Sequence, residues 1–377
     1  MSLIWKNISL KGDKVIWFIV FSLSLFSIMV VYSAAGWTDL INHLIRILIG
    51  LFCMYIVHLI PFKYFSKLGQ IGYFTSLLLL LLVFLVGVSI NGASRWIEIA
   101  GLQFQPSDIA KIAVIIYLSR QISLNRNKIK KFKDFFWNIF LPLLVVCALI
   151  LPNNFSTSAL VFLNGIILMF IAKIRFRFIL QVLSTAIFFG LLIVLPTFLT
   201  PFINDVIPRS QTWVSRTNTY SNINHDLSIL DKKHQQKQAL VAIQNGGIYG
   251  SGPGKSSQRS ILPLPASDFI FAIILEEYGL IGGVFALLLY LILLFRAIRI
   301  SLKIDSVFGS LVSVGLIFSL VFQALIHMLV SIGLMPVTGQ TLPLISMGGT
   351  SLVFTFIAIG IVLSVSRKSL HGKYEKI

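Results

Sequence analysis

The chain of 377 residues carries only thirteen carboxylates, few enough for most to be weighed singly as a proton acceptor or cation holder. Asp13, Asp134, Asp305 and Glu375 stand in short basic segments and read as ordinary charge balance. Glu98 and Asp108 flank one short connection, and Asp205, Asp226 and Asp231 share one long polar segment. Asp268, Glu276 and Glu277 open an apolar run. Ionisable groups at membrane depth are expensive and mark functional sites by default. Glu276 and Glu277 are therefore either functional groups or an interfacial pair satisfied by backbone or Arg. Asp108 and Lys111, at i and i+3 on one helix, are placed to pair with each other.

Three backbone patterns add to these side chains. In NGASRWIEIAGLQFQPSDIAK (91–111), Trp96 and Ile97 suit a membrane interface, and Pro106 starts a helix beside Ser107 and Asp108. In GIYGSGPGKSSQRSILPLPASDFIFAIILEEYG (247–279), glycines let the backbone approach a phosphate, and Lys255 and Arg259 supply charge. In LMPVTGQTLPLISMGGTS (334–351), prolines and glycines interrupt an apolar helix. Irregular backbone at membrane depth is tolerated only when buried in protein or lining a polar cavity, so this segment marks a site.

The elements that must carry these groups are membrane spans. Apolar residues make up 56% and charged residues 12%, with a mean hydropathy of +0.90. Too few charges remain to cover a water-soluble surface. Stretches near the ~20 residues of a spanning helix recur at 15–34, 40–61, 72–90, 107–122, 135–152, 156–173, 177–202, 268–295, 308–334 and 341–365. The net charge of +18 invites a nucleic-acid reading, but its distribution excludes that class. Lys and Arg concentrate in the N-terminal arm (Lys6, Lys11, Lys14), in alternate connections, and in the tail (Arg367, Lys368, Lys373, Lys376). The alternate connections hold Lys63 and Lys67; Arg120 to Lys133; Lys173 to Arg177; and Arg296 to Lys303. This bias puts both termini in the cytoplasm and suits anionic lipid headgroups.

The expected fold is an all-α polytopic membrane protein of about ten transmembrane helices in a single domain over 1–377. One large extracytoplasmic loop, about 203–267, lies between the seventh and eighth spans. At about 65 residues it far exceeds ordinary connections, and its aromatic residues and helix-compatible Gln235 to Gln244 argue for a functional loop. The first apolar run is longer than the ~7–15 residues of a signal h-region, so it reads as a retained anchor. Cys53 and Cys147 lie inside apolar spans and indicate neither disulfides nor a metal centre, and no phosphate-binding nucleotide motif is present.

NGASRWIEIAGLQFQPSDIAK, GGIYGSGPGKSSQ, LPLPASDFIFAIILEEYG and MPVTGQTLPLISMGGTS, in this order over nearly the whole chain, resemble the signatures of the SEDS family. This is the shape, elongation, division and sporulation group that includes FtsW, RodA and SpoVE, and the likeness is greatest to the division-type branch. The resemblance implies a peptidoglycan glycosyltransferase at the outer face of the bacterial cytoplasmic membrane. Such enzymes polymerise lipid II alongside a class B penicillin-binding transpeptidase and other divisome or elongasome membrane proteins. It implies a catalytic Asp in the large loop, Asp231 by position with Asp226 as rival, among Lys232, Lys233 and Lys237 that attract pyrophosphate. SILDKKHQQKQA stands where many members carry a different stretch, so the choice between the two stays open.

By the same resemblance, substrate contact falls to Arg95, Trp96, Gln105, Ser107 and Lys111, to Trp213 and Arg216, and to Gln238, Lys255 and Gln258. Asp268, Glu277, Thr338, Gln340 and Ser346 complete the set. A divalent cation, Mg or Mn, is a possible bridge between carboxylate and phosphates, with no ligand set evident in the sequence. Two other classes compete: a lipid II flippase or solute carrier without chemistry, which broken helices suit, and a scaffold that recruits the transpeptidase. The concentration of polar residues in an outer loop, and the absence of a visible inverted repeat, favour the enzyme.

Overall fold

The computed structural model describes residues 11–90, 93–99, 102–126, 128–129, 131–185, 230–262 and 264–371. Helix α1 (Lys14–Leu59, 46 residues) opens on Asp13, whose carboxylate accepts from the amides of Val15 at 2.9 Å and Ile16 at 3.3 Å. Straight, it would measure about 69 Å, more than twice the ~30 Å of hydrocarbon. Gly36, at φ 81° and ψ −170°, breaks it. Both ends of α1 then meet the same turn of the last helix: Asp13 N donates to Ser366 Oγ at 3.0 Å, and Arg367 Nη1 donates to the Leu59 carbonyl at 3.1 Å. The chain therefore reverses at Gly36, and α1 comprises the two spans expected at 15–34 and 40–61.

A short 3₁₀ turn (Phe62–Tyr64) leads into α2 (Phe65–Val86). The span expected to run to residue 90 ends earlier, because Gly87 turns extended and a small antiparallel sheet follows. Its strands are β1 (Val88–Ile90), β2 (Ala93–Ile99) and β3 (Leu102–Phe104), in that order, with Val88 opposite Trp96 and Ile97 opposite Phe104. Next come α3 (Pro106–Asn125), α4 (Phe132–Ile150), α5 (Phe155–Ile171) and α6 (Phe176–Thr185). Helix α7 (Leu230–Gly246) contains the helix-compatible stretch of the large loop. The bundle closes with α8 (Ile270–Lys303), α9 (Val307–Ser331) and α10 (Gly349–His371). The last span, expected from 341, becomes helical only at Gly349. Pro336 and Pro343 lack an amide donor, and Gly339 and Leu344 hold φ of 65° and 66°, so 332–348 stays irregular.

Among the described residues, six helices are long and apolar enough to cross a membrane. Outward-facing residues on them are apolar: Phe18, Phe52, Leu85 and Leu302 are all more than 60% exposed. Such an outer surface suits lipid and not water. Helix α3 runs through the middle, packed by α2, α4, α5, α9 and α10. Close approach is set by small residues: a side chain at Gly69 would strike Ile116, and one at Gly50 would strike Phe356.

Candidate active site

At one end of the bundle the first turn of α3 faces α9 and α10. Asp108 and Lys111 pair there as the sequence spacing predicts, at 2.8 Å, with side chains 5% and 14% exposed. Lys111 Nζ also donates to Gln323 Oε1 at 3.5 Å, and Gln323 Nε2 donates to the Thr341 carbonyl at 2.8 Å. The second oxygen of Asp108 is buried and has no partner among the described residues. Asp108, Lys111 and Gln323 line a small open cleft whose remaining wall, including Ile112, Leu320, Phe354 and Ala358, is largely apolar. Such a surface offers a cation, hydrogen-bond donors and an oxygen acceptor next to a hydrocarbon face.

The irregular 332–348 segment forms the floor beside this cleft and is held by side chains from several helices. Gln340 Nε2 donates to Thr157 Oγ1 at 2.9 Å, and its carbonyl lies 2.7 Å from His327 Nδ1. Ser346 Oγ donates to the Ser267 carbonyl at 2.8 Å, and Met347 N donates to the Ala266 carbonyl at 2.9 Å. From the core, the Tyr290 hydroxyl donates to the Pro343 carbonyl, and Ser27 Oγ donates to that of Ile345 at 2.7 Å. The sheet covers the segment's end: Trp96 lies against Gly349, and Gln105 N donates to Thr350 Oγ1 at 3.4 Å. Backbone freed by the broken helix is thus satisfied by protein, as burial at membrane depth demands.

A second polar layer joins α7 to α8. Helix α8 breaks at Gly279, φ 63° and ψ −166°, and the freed groups pair with the glycine turn after α7. Ser251 N and Gly252 N donate to the carbonyls of Glu276 and Glu277 at 2.9 and 3.0 Å. Leu280 N and Ile281 N donate to those of Gly247 and Ile248 at 3.0 and 3.3 Å. A Cβ at Gly279 would overlap the Ile248 carbonyl and the Gly250 amide, so glycine is required there. Helix α7 also rests on α9's end, where Gln236 Nε2 donates to the Met335 carbonyl at 3.4 Å.

The FtsW/RodA/SpoVE profile, described as a cell cycle protein, matches residues 13–371. The chain belongs to this family. One family relative, the probable peptidoglycan glycosyltransferase FtsW of Geobacter metallireducens, is 32% identical over 374 residues, covering 95% of each chain. Stage V sporulation protein E of Bacillus subtilis is 34% identical over 329 residues, covering 85% of each. Among solved structures, a chain of a peptidoglycan synthase complex that coordinates polymerization and crosslinking aligns with a TM-score of 0.76 at 26% identity, covering 95% of this chain and 98% of that one. The rod shape determining protein RodA of Thermus thermophilus aligns with a TM-score of 0.69 at 26% identity, covering 95% and 97%. The arrangement above is therefore the polytopic helical fold of the FtsW/RodA/SpoVE family.

Within that frame the residues singled out from sequence fall into three groups. Arg95, Trp96, Gln105, Ser107 and Lys111 gather at the start of α3. Arg95 Nε donates to the Asn153 carbonyl at 2.9 Å, and Gln105 Nε2 donates to Ser107 Oγ at 2.7 Å. Gln340 and Ser346 hold the irregular segment, Thr338 is half-buried in it, and Ser267 Oγ donates to Asp268 Oδ1 at 3.1 Å. Gln238 is half-buried on α7, Lys255 is exposed, and Gln258 and Glu277 are buried beneath the Gly-rich segment. Asp231 stands in the first turn of α7 with Lys232 and Lys233 following, but their side chains lie outside the described residues. Asp226, Trp213 and Arg216 lie outside them altogether.

Gln323, His327 and Thr157 are structural participants that the sequence reading missed. The signal was present: Gln323 and His327 are polar at i and i+4 within the apolar run of α9. Among the described residues no three His, Cys, Asp or Glu side chains converge, so these residues form no cage for a divalent ion.

Proposed function

We infer that this chain is a peptidoglycan glycosyltransferase of the cytoplasmic membrane that joins lipid II units into glycan strands. The observation that carries the reading is the buried Asp108–Lys111 cleft, charged at its head and apolar along its wall. A polyprenyl-linked pyrophosphate sugar needs that combination, with hydrocarbon for the tail and donors for the phosphates. The relatives named as FtsW glycosyltransferases support it through similarity over nearly the full chain.

In the reaction, the acceptor's sugar hydroxyl gives its proton to the Asp231 carboxylate while its oxygen attacks the anomeric carbon of the donor. The bond from that carbon to the pyrophosphate oxygen breaks, the configuration inverts, and the polyprenyl pyrophosphate leaves with the electron pair. Lys111 and Lys255 supply positive charge for the leaving group. The basic termini and alternate connections face the cytoplasm, placing α7 and the cleft on the outer side. A class B penicillin-binding transpeptidase is the partner that would crosslink the product. The neighbouring synthase complex, whose description couples polymerization to crosslinking, supports this pairing.

Purified protein, with its transpeptidase, should polymerise lipid II, and Asp231→Ala should abolish it. Undiminished polymer in both Asp231→Ala and Asp226→Ala would sink the assignment of the base. Movement of lipid II across vesicles without polymer would favour a flippase.

A further inference from the structure

Glu276 and Glu277 open α8 inside the protein, each 1% exposed. A carboxylate in that setting persists only when its oxygens are supplied with donors or cations. Among the described residues the donors to Glu276 are neutral, and they come from one stretch of chain. Ser257 gives its amide at 3.0 Å and its hydroxyl at 2.8 Å, and Gln258 gives its amide at 3.4 Å. The Ser256 hydroxyl donates closely to Oε2, the oxygen that also takes the Gln258 amide, and Asn245 Nδ2, at the end of α7, reaches Oε1 at 3.5 Å beside Ser257. Glu276 is thus the anchor around which 245–258 folds.

Glu277 extends the anchor to α1. Its Oε1 accepts from the Ser256 amide at 3.4 Å and from the Ser33 hydroxyl, just before the reversal at Gly36. Arg259 Nη1 closes the loop by donating to the Ser33 carbonyl at 3.1 Å. The segment so held carries Lys255, exposed at its outer face. The same glutamates lend their backbone carbonyls to Ser251 and Gly252, so side chain and main chain fix opposite ends of the turn.

We propose that Glu276 is a positioning residue, whose carboxylate holds the Gly-rich segment bearing Lys255, and the end of α7, in the geometry that glycosyl transfer requires. The proposal rests on the glycosyltransferase reading for its activity arm alone. Glu276→Gln keeps size and shape but turns one acceptor into a donor, which then faces either the Ser257 amide and hydroxyl or the Gln258 amide and Ser256 hydroxyl.

Full-length protein with its transpeptidase would be assayed on lipid II, with hydrogen exchange followed in parallel. Glu276→Gln is expected to lower kcat per folded molecule by about 10–100-fold, the loss associated with buried hydrogen bonds to a charge. Exchange at 247–258 should quicken by at least about tenfold while α9 and α10 stay protected. Ser257→Ala, which removes one neutral donor and buries no new charge, should shift both readouts the same way by about three- to tenfold. Combining Glu276→Gln with Lys255→Ala should cost no more than the worse single change, because both act through one segment.

Wild-type kcat and wild-type exchange in folded Glu276→Gln would overturn the proposal. If that variant does not fold, unchanged kcat and exchange in Ser257→Ala would overturn it instead. Wild-type protein that makes no polymer refutes the glycosyltransferase reading, and the exchange comparison still decides whether Glu276 orders the segment.

Discussion

Removing Asp108 tests whether the buried pair serves stability, chemistry or both. Its partner Lys111 is 14% exposed and would keep one hydrogen bond, to Gln323 at 3.5 Å, as its charge lost the carboxylate 2.8 Å away. Breaking a buried pair from one side costs about 3–5 kcal/mol, against a total stability of roughly 5–15 kcal/mol. Lys111→Met should cost about as much, because it strands a carboxylate that already has one unpartnered buried oxygen. Combining Asp108→Asn with Lys111→Met removes both charges, so stability should return to within about 1–2 kcal/mol of wild type. Lipid II turnover should not return, since the cleft has lost its cation, and is expected to stay at least about tenfold down. Thermal unfolding in detergent and gel analysis of polymer measure the two arms. Single variants that melt like wild type would refute the energetic argument, and a double variant that regains turnover would refute the chemical one.

Gly279→Ala should destabilise the junction of α7 and α8 by about 3–5 kcal/mol, because a positive-φ residue with a Cβ must break backbone bonds to the glycine turn; proteolysis within 247–262 reads this, and wild-type resistance contradicts it. Tyr290→Phe should lower stability by about 1–3 kcal/mol, since it leaves the buried Pro343 carbonyl without its donor while keeping the buried ring. Tyr290→Ala, measured beside it by thermal unfolding, should cost about 3–5 kcal/mol, and equal losses would contradict the packing account. At the opposite end of the bundle, Arg296→Ala leaves the buried Asp13 without its guanidinium, which is itself 26% exposed; the expected loss of melting stability is about 1–3 kcal/mol with kcat unchanged.

Much of the site was legible in the chain because its signals are local. The i, i+3 spacing alone pairs Asp108 with Lys111, since helix geometry puts those positions on one face. The glycines and prolines of 334–351 announce irregular backbone, and 332–348 is irregular. The sheet at 88–104 was not legible, because a seven-residue strand beside two short ones looks like an interfacial connection until its partners are known. Glu276 was expected either to be functional or to be satisfied by backbone or Arg; it takes two backbone amides and three neutral side-chain donors, and their source some twenty to thirty residues upstream could not be foreseen.

What the amino-acid order determined by itself is the apolar solvent and the helical segments among the described residues, the expected end of the seventh span at 186–202 lying outside them. Hydropathy and the placement of Lys and Arg are sums over local composition, and a bilayer reads them without reference to the rest of the fold. Tertiary structure alone decided which groups share a site. Gln323 and His327 on α9, Thr157 on α5 and Ser267 before α8 converge on one irregular segment. Thr157 stands 183 positions from Gln340 and Ser267 stands 79 from Ser346, so their meeting depends on helix packing, and pattern along the chain carries no record of that distance.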